Sequence, residues 1–206
     1  MSAVLAPPAA TYTPPPKGAL AAPRLKRWTV AEFNTLLKLD LVEARRHQLV
    51  RGEIVDMGEQ SMRHHTSVDA VVEGLRAAFG PGFFVRNAGP LQFGASKPEP
   101  DVSVLRGKRS DYLTEPPPAT ALLAVEVALT SLTYDLTTKA ELYAAAGIPE
   151  YWVLDLEGRV LHVFRDPQPR EALSATTYQI HTEHRPGESV NPLSAPNAVA
   201  VVELLP

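Results

Sequence analysis

The stretch LLAVEVAL, residues 122–129, is apolar except for one acid, Glu126, near its centre. An apolar run of this length is typical of a strand that is buried on both faces of a sheet. A lone ionised carboxylate in a dry interior is costly, so such a group is usually paired, protonated or bound to a metal. Glu126 is therefore the most informative residue of the chain.

The neighbours of Glu126 on its own strand face are small. Side chains alternate along a strand, so Ala124 and Ala128 share the face of Glu126 and leave space over the carboxylate for an ion and a substrate. Two ordinary interpretations stay open at this point. The glutamate pairs with an arginine, or it reaches solvent at a sheet edge.

A second acid, Asp101, opens another strand signal. It follows a proline in Lys97-Pro-Glu-Pro-Asp101 and precedes the apolar run 102–105. Aspartate after proline is also common at turns and strand starts, and this simpler interpretation stays open as well.

A third group, Lys139, lies four residues after Asp135 on a predicted helix, with Tyr143 one turn further on. This spacing places the three side chains on one helix face, where an exposed ion pair is the ordinary interpretation. The helix directly follows the Glu126 strand, however, so its start should fold back over the end of that strand.

The patterns outward from this centre predict helices and strands around one sheet. Thr29 and Glu32 form a capping box, and Gly80 and Gly147 stand where helices should stop. The predicted helices span residues 29–40, 61–79 and 135–146. The predicted strands span 83–86, 91–93, 101–105 and 121–129, with hairpins at 47–57 and 151–164 and short strands at best near the C-terminus. This order favours an α/β or α+β domain around one mixed sheet.

Composition limits the class of protein. The chain has 206 residues, 45% of them hydrophobic, which suits one domain and a tail. Residues 1–26 are rich in proline and alanine, so we expect a disordered tail before a domain at residues 27–206. A secretion signal is disfavoured because a basic start is missing. No apolar run is long enough to span a membrane, and we expect a cytoplasmic protein.

The cysteine count and the charge exclude further classes. The chain has no cysteine, which rules out disulfides, thiolate metal sites and a cysteine nucleophile. A net charge of −3 argues against a strongly basic coat for DNA, although a local basic face remains possible. Residues that could contact phosphate are Arg45, Arg46, Arg51, Arg63, Lys97, Arg106, Lys108 and Arg109.

Two acids on neighbouring strands suit a hard divalent cation such as Mg²⁺, which prefers oxygen ligands. The backbone carbonyl of Val127 could add a third protein oxygen beside Asp101 and Glu126. A lysine near a metal-bound water can orient or deprotonate that water and can neutralise charge that develops on phosphate. Together these groups predict a site for phosphodiester hydrolysis.

At this point the chain resembles the PD-(D/E)xK nuclease superfamily. Pro100-Asp101, then Glu126 in an apolar strand, then a helical lysine follow the order of that superfamily's motif. Ala128 stands where the usual Glu-x-Lys motif has lysine. The Uma-two-like family shows a similar departure, because its lysine lies on the next helix, at the position of Lys139. This family is classed as bacterial restriction endonucleases and was long catalogued as a domain of unknown function.

The resemblance covers about residues 28–206. Its markers are Leu49-Val-Arg-Gly-Glu53, Ser61-Met-Arg-His64, Pro98-Glu-Pro-Asp101, Val125-Glu-Val127, Lys139-Ala-Glu-Leu-Tyr-Ala144, Ala146-Gly-Ile-Pro-Glu-Tyr-Trp-Val-Leu-Asp155 and Gly187-Glu-Ser189. Each marker is short, but their order and spacing together are specific. The resemblance implies a restriction-endonuclease-like α/β domain, a mixed central sheet flanked by helices.

The resemblance also implies roles for single residues. Asp101 and Glu126 match the metal-binding acids and Lys139 the displaced lysine. Glu53 matches an early acid that would complete the site, although an exposed hairpin acid is the simpler interpretation. His64 matches a histidine that would contact phosphate or position water, although helix capping is equally ordinary at that position.

The function implied is that of a DNA endonuclease that uses Mg²⁺, with Mn²⁺ as a substitute, and that acts as a homodimer. Two alternatives stay open. A nucleic-acid- or protein-binding module could keep the fold without cleavage, because fold does not guarantee activity. Hydrolysis of RNA or of another phosphate ester would use the same metal chemistry.

Overall fold

The described part of the chain, residues 24–170 and 175–205 of a computed structural model, alternates between strands and helices. The helices are α1 (Val30–Lys38), α2 (Met62–Phe79), α3 (Leu132–Tyr134) and α4 (Ala140–Ala145), with a π-helical turn at Asp135–Lys139 and 3₁₀ turns at Arg109–Tyr112 and Val201–Leu204. The strands are β1 (His47–Val50), β2 (Glu53–Asp56), β3 (Phe83–Asn87), β4 (Val102–Arg106), β5 (Leu123–Ala128), β6 (Glu150–Asp155), β7 (Val160–Arg170), β8 (Ala175–His184), β9 (Ser189–Val190) and β10 (Val199–Ala200).

The main sheet is mixed, as the sequence predicts. Its six strands lie in the order β3-β4-β5-β6-β7-β8. All neighbouring pairs are antiparallel except β5 and β6, which are parallel. A parallel pair needs a crossover between its strands, and residues 132–145 supply a helical one here. Every residue of β5 is buried, which confirms the prediction for the stretch around Glu126.

Each face of the sheet has its own apolar core. Beneath α2, the valines and leucines of one helix side meet Val125, Val127 and Trp152. The other face lies beneath α4, where Ala124, Ala128 and four buried aromatic rings of the strands and helix pack together. Glu126 belongs to this second face because it alternates with Val125 and Val127.

Local signals in the sequence place the element boundaries correctly in several cases. Thr29 and Glu32 form the predicted capping box at the start of α1. Gly80 follows α2 with a φ of 68°, a conformation that favours glycine. The β1–β2 hairpin turns at Arg51 and Gly52, which both have positive φ, as tight hairpin turns require.

Residues 91–93 are not a strand, contrary to the prediction. The structure has an isolated bridge between Phe93 and Ser96, and the Leu91 amide donates to the carbonyl of Pro98. Gly94, with a φ of 52°, reverses the chain directly after Phe93. The Leu91 amide bonds to Pro98, and Pro98 has no amide proton to return the bond, so no ladder extends beyond the bridge.

The C-terminal region contains long strands rather than the short ones predicted. Strand β7 continues through Pro167 and Pro169 and pairs with β8 along its length. Beyond Arg165 the strand β6 no longer pairs with β7. A proline on this stretch can therefore turn its nitrogen to the open side without the loss of a ladder bond.

The third helix also differs from the prediction, because it begins at Leu132 rather than at Asp135 and contains a π-helical turn. Of the predicted tail, residues 1–26, the first 23 residues lie outside the described residues. Residues 24–29 are neither helix nor strand, and the Trp28 amide donates to the carbonyl of Gly52 at 2.8 Å. Across the described residues, no helix combines the length and the apolar character that crossing a membrane requires.

Candidate active site

Asp101 and Glu126 are neighbours across the β4–β5 pair. Asp101 directly precedes β4, and Val102 is paired with Val125, so the antiparallel register sets Asp101 beside Glu126. The Asp101 carboxylate accepts a hydrogen bond from the amide of Val127 at 2.7 Å. This bond holds Asp101 at the end of β5.

Glu126 is bound by two donors from the crossover helix. Lys139 Nζ and the Tyr143 hydroxyl each donate to Oε1 at 2.7 Å. Both bonds end on the same oxygen, so Oε2 takes no part in them. Burial raises the pKa of Glu126, against the lowering effect of the Lys139 charge.

Lys139 is completely buried, and its charge is balanced by acids. Burial alone lowers the pKa of a lysine, but the carboxylates of Glu126 and Asp135 outweigh burial here and raise the pKa of Lys139. The ammonium group therefore keeps its proton. The α-helical pattern predicts an exposed ion pair as the ordinary interpretation, and full burial of Lys139 excludes that interpretation.

His64 lies on the other side of Asp101. Its Nε2 is 3.2 Å from Asp101 Oδ2, and Ser61 caps the helix turn that carries it. Burial lowers the pKa of His64, but the hydrogen bond and the charge of Asp101 outweigh it, and the pKa is raised. Among the described residues, the buried Nδ1 of His64 has no hydrogen-bond partner. A free buried nitrogen beside an acid is available to a ligand or a water.

Asp135 is a third acid in this cluster, and the sequence suggested it only as the partner of Lys139. It is 1% exposed, and Ser131 Oγ donates to its Oδ2 at 2.5 Å. Its Oδ1 is buried without a partner among the described residues. Burial raises the pKa of Asp135 to about 6, against the charge of Lys139. The i, i+4 spacing to Lys139 was the signal that pointed to it.

The π-helical turn sets the positions of Asp135 and Lys139. The Ala140 amide donates to the carbonyl of Asp135, five residues back, where an α-helix would bond four residues back. The Tyr151 hydroxyl donates to the same carbonyl at 3.0 Å. Such π-helical insertions often occur at functional sites. Tyr151 and Trp152 are otherwise core residues.

Glu53 lies elsewhere, contrary to the expectation that it completes the site. It is an exposed residue at the start of β2, and its carboxylate pairs with Arg27. The structure thus brings together Asp101, Glu126, Lys139 and His64, and it leaves Glu53 on the outer surface of the hairpin.

A cleft of about 430 Å³ opens beside Asp101. Its lining is mostly polar and consists of Arg45, Gln48, Gln60, His65, Val68, Asn87, Ala88, Glu99, Pro100 and Asp101. Several of the predicted phosphate-binding cations are already paired with acids. These pairs are Arg46 with Asp56, Arg51 with Glu141 and Arg63 with Glu157. Arg45 is the cation that faces the cleft.

The donor set fits a hard divalent cation. Asp101, Oε2 of Glu126 and the carbonyl of Val127 are oxygen ligands of the kind that Mg²⁺ prefers. The Val127 backbone is among the groups that raise the pKa of His64, and its amide donates to Asp101, so it borders the same space. Asp135, whose Oδ1 has no partner among the described residues, interacts electrostatically with Asp101 and Glu126.

The fold and the site together define a nuclease-like α/β domain. A crystal structure described as a "putative nuclease belonging to DUF820" from Anabaena variabilis is similar, with a TM-score of 0.66 over 85% of this chain and 96% of that chain. The two sequences are 17% identical, so this likeness concerns the fold. No curated protein matches the chain.

The family follows from the sequence model that matches residues 30–200. The chain belongs to the Uma2 family, which is described as "Putative restriction endonuclease". This match confirms the family resemblance that the sequence motifs predict.

Proposed function

We propose that this chain is a metal-dependent endonuclease that hydrolyses phosphodiester bonds of DNA. The proposal assigns Mg²⁺, or Mn²⁺ in its place, to Asp101, Glu126 and the backbone carbonyl of Val127. Bound there, the cation would polarise the scissile phosphate and lower the pKa of a water molecule. The family description supports a nuclease, and the donor set supports a hard cation.

One observation carries the proposal: Lys139 reaches Glu126 from the crossover helix, with Nζ 2.7 Å from Oε1. Lys139 therefore contacts the acid from the following helix, and this contact supports a role for it beside the metal site. Its ammonium charge stabilises negative charge that develops on the phosphate. Tyr143 holds the same carboxylate oxygen and so orients Glu126 toward its partners.

His64 and Asp101 lie in contact on the other side of the site. Asp101 Oδ2 accepts hydrogen bonds from the Val127 amide and from His64 Nε2. Asp101 raises the pKa of His64 against the effect of burial, and an imidazolium can contact a phosphate oxygen directly. We assign His64 to phosphate contact on this ground.

The test is nicking of supercoiled plasmid DNA with Mg²⁺ or Mn²⁺. We expect cleavage by the natural chain and a loss of at least about 100-fold in Glu126→Gln, because the charge of a metal-binding acid is removed. Glu53→Gln is the matched control, since it removes an exposed acid that pairs with Arg27, and it should cleave normally. Equal cleavage by Glu126→Gln would remove this residue from the mechanism.

A non-catalytic binding module is the second candidate. The observation in its favour is that Lys139 and Tyr143 together already satisfy one oxygen of Glu126. The same plasmid assay separates the two candidates when it is run beside a gel-shift measurement. Binding to DNA without nicking under any metal would favour the module, whereas metal-dependent nicking favours the enzyme.

The proposed enzyme acts on duplex DNA as a homodimer, because two-fold symmetry matches two active sites to two antiparallel strands. Light scattering on the full chain, with and without a short duplex, tests this. A mass of two chains is expected. A single-stranded RNA of the same length in the cleavage assay distinguishes DNA from RNA as the substrate.

A further inference from the structure

Two histidines and a glutamate meet on the last two strands of the sheet, away from the site described above. His162 lies on β7, and His181 and Glu183 lie on β8. The register pairs His162 with Glu183, and His181 with Phe164, which is two residues along from His162. Residues two apart share a face of a strand, so all three side chains project to the same side of the sheet.

The distances between the three ligand atoms suit one metal ion. His162 Nδ1 is 3.1 Å from His181 Nε2 and 3.7 Å from Glu183 Oε1. The three atoms lie within 4.8 Å of one another. Two nitrogens bound tetrahedrally to Zn²⁺ at its usual bond length are about 3.3 Å apart. The observed nitrogens need to move only a few tenths of an ångström to reach that separation.

The rings are held in place before any ligand arrives. The His181 ring stacks on Phe164 with centroids 4.2 Å apart and an angle of 5° between the planes. His162 is 7% exposed and is fixed within the sheet. Burial lowers the pKa of both imidazoles.

The cluster is distinct from the proposed nuclease site but shares its sheet face. Across the sheet, Glu126 is paired with Val153, Val153 with His162, and His162 with Glu183. Two strand spacings separate Glu126 from His162, which is about 10 Å. Imidazole nitrogens also select a different class of ion from the all-oxygen set at Asp101, namely a transition metal rather than Mg²⁺.

We propose that His162, His181 and Glu183 form a second metal site, for Zn²⁺ or a similar divalent transition metal, which joins the edge strand β8 to β7. The site has three protein ligands, and the exposure of His181 and Glu183 leaves a fourth position open to water. Within the described residues, β8 pairs with a neighbour on one side only, so a metal bridge to β7 would strengthen the outer edge of the sheet.

The test uses the full chain without a histidine tag, in a Glu126→Gln background that weakens the nuclease site. Titration with Zn²⁺ by calorimetry, and with Co²⁺ by its visible absorption, should show one bound ion and a higher Tm. His181→Ala should weaken Zn²⁺ binding by at least about tenfold and abolish the rise in Tm, because loss of a direct ligand costs more than loss of an outer partner.

His184→Ala is the matched control. His184 lies on the same strand but on the opposite face, beside Thr182. It should bind Zn²⁺ like the parent chain. Equal binding by the His181 and His184 variants, or no binding by the parent, would overturn the proposal and leave an ordinary histidine–histidine hydrogen bond. Neither result depends on whether the chain cleaves DNA.

Discussion

At the scale of single residues, the chemistry depends on how buried charges compensate one another. Glu126, Asp135 and Lys139 are all nearly or completely buried, so none can rely on water for solvation. Two acids and one lysine share this space, and burial raises the pKa of both acids. An arrangement that is costly for stability and retained in the fold is typical of a functional site.

The pair of Lys139 and Glu126 permits a first prediction. Lys139→Met should lower the free energy of unfolding at pH 7 by about 3 kcal/mol, because it leaves a buried carboxyl without its cation. The loss should be smaller at pH 5, where the abandoned carboxyl takes up a proton at little cost. Urea unfolding at both pH values measures this difference.

The double variant Lys139→Met with Glu126→Gln is the control, since it removes both charges. It should recover most of the lost stability, because an uncharged pair of similar volume is tolerated in a core. If the double variant were as unstable as the single one, the loss would come from packing rather than from charge.

Asp135 yields a second prediction, in which the substitution raises the free energy of unfolding instead of lowering it. Its pKa is raised from 3.8 in the unfolded chain to about 6, so the folded state binds the proton more tightly. The contribution of protonated Asp135 to the free energy of unfolding is therefore fully present below pH 3.8, and it is lost as the pH rises through 6. Asp135→Asn keeps the neutral form, so it should raise the free energy of unfolding at pH 7 by on the order of 2–3 kcal/mol.

Chemical unfolding of both proteins at pH 4 and pH 7 tests this. The gap between Asp135→Asn and the natural chain should be small at pH 4 and large at pH 7. The same variant should cleave DNA less well, because a stabilising change at an active site commonly costs activity. A gap that does not change with pH would contradict the assignment.

At the scale of elements, the crossover between β5 and β6 does most to assemble the site. It must return the chain to the start of a parallel strand, and it carries Asp135, Lys139 and Tyr143 over the Glu126 strand on its way. The π-helical turn contains one residue more than an α-helical turn would. The extra residue changes the angle between the side chains before and after it.

Deletion of Thr137 tests the importance of this turn. Thr137 is exposed, and its removal should convert the π-helical turn to an α-helical one and rotate Asp135 away from Lys139. We expect a folded chain, by circular dichroism and cooperative unfolding, with plasmid nicking reduced by at least about 100-fold. Thr137→Ala keeps the residue count and should cleave normally. Full activity of the deletion variant would show that the turn is incidental.

At the scale of the whole molecule, the charge distribution limits how DNA is bound. The net charge is −3, and three of the candidate cations are paired with acids. The affinity for DNA should therefore depend only weakly on salt in comparison with strongly basic DNA-binding proteins. Contacts in the cleft, rather than a general positive field, would position the substrate.

Arg45 and Arg46 allow this to be measured as a matched pair. Arg45 faces the cleft beside Asp101, whereas Arg46 pairs with Asp56 outside it. In a Glu126→Gln background, Arg45→Ala should reduce the slope of log affinity against log salt by about 1, as the loss of one phosphate contact does. Arg46→Ala should leave the slope unchanged. Fluorescence anisotropy with a labelled duplex over a range of salt concentrations measures both.

The prediction from sequence succeeded where the signal was local. The capping box at Thr29, the turn at Arg51-Gly52 and the buried run around Glu126 all depend on neighbours in the chain, and the structure has them as predicted. It failed at residues 91–93 and at the length of β7 and β8. Strand pairing decides those elements: residues 91–93 meet Pro98, which cannot return a ladder bond, and β7 and β8 pair along their whole length.

Residue types and their spacing alone determined the family, the mixed sheet and the identity of the acids and the lysine, because buried charges in apolar strands and helices are rare enough to be informative. Only the tertiary structure decided that His64 and Asp135 join these residues, that Glu53 does not, and that three distant side chains meet on β7 and β8. Those choices depend on register and on the path of the crossover, which bring together atoms far apart in the chain.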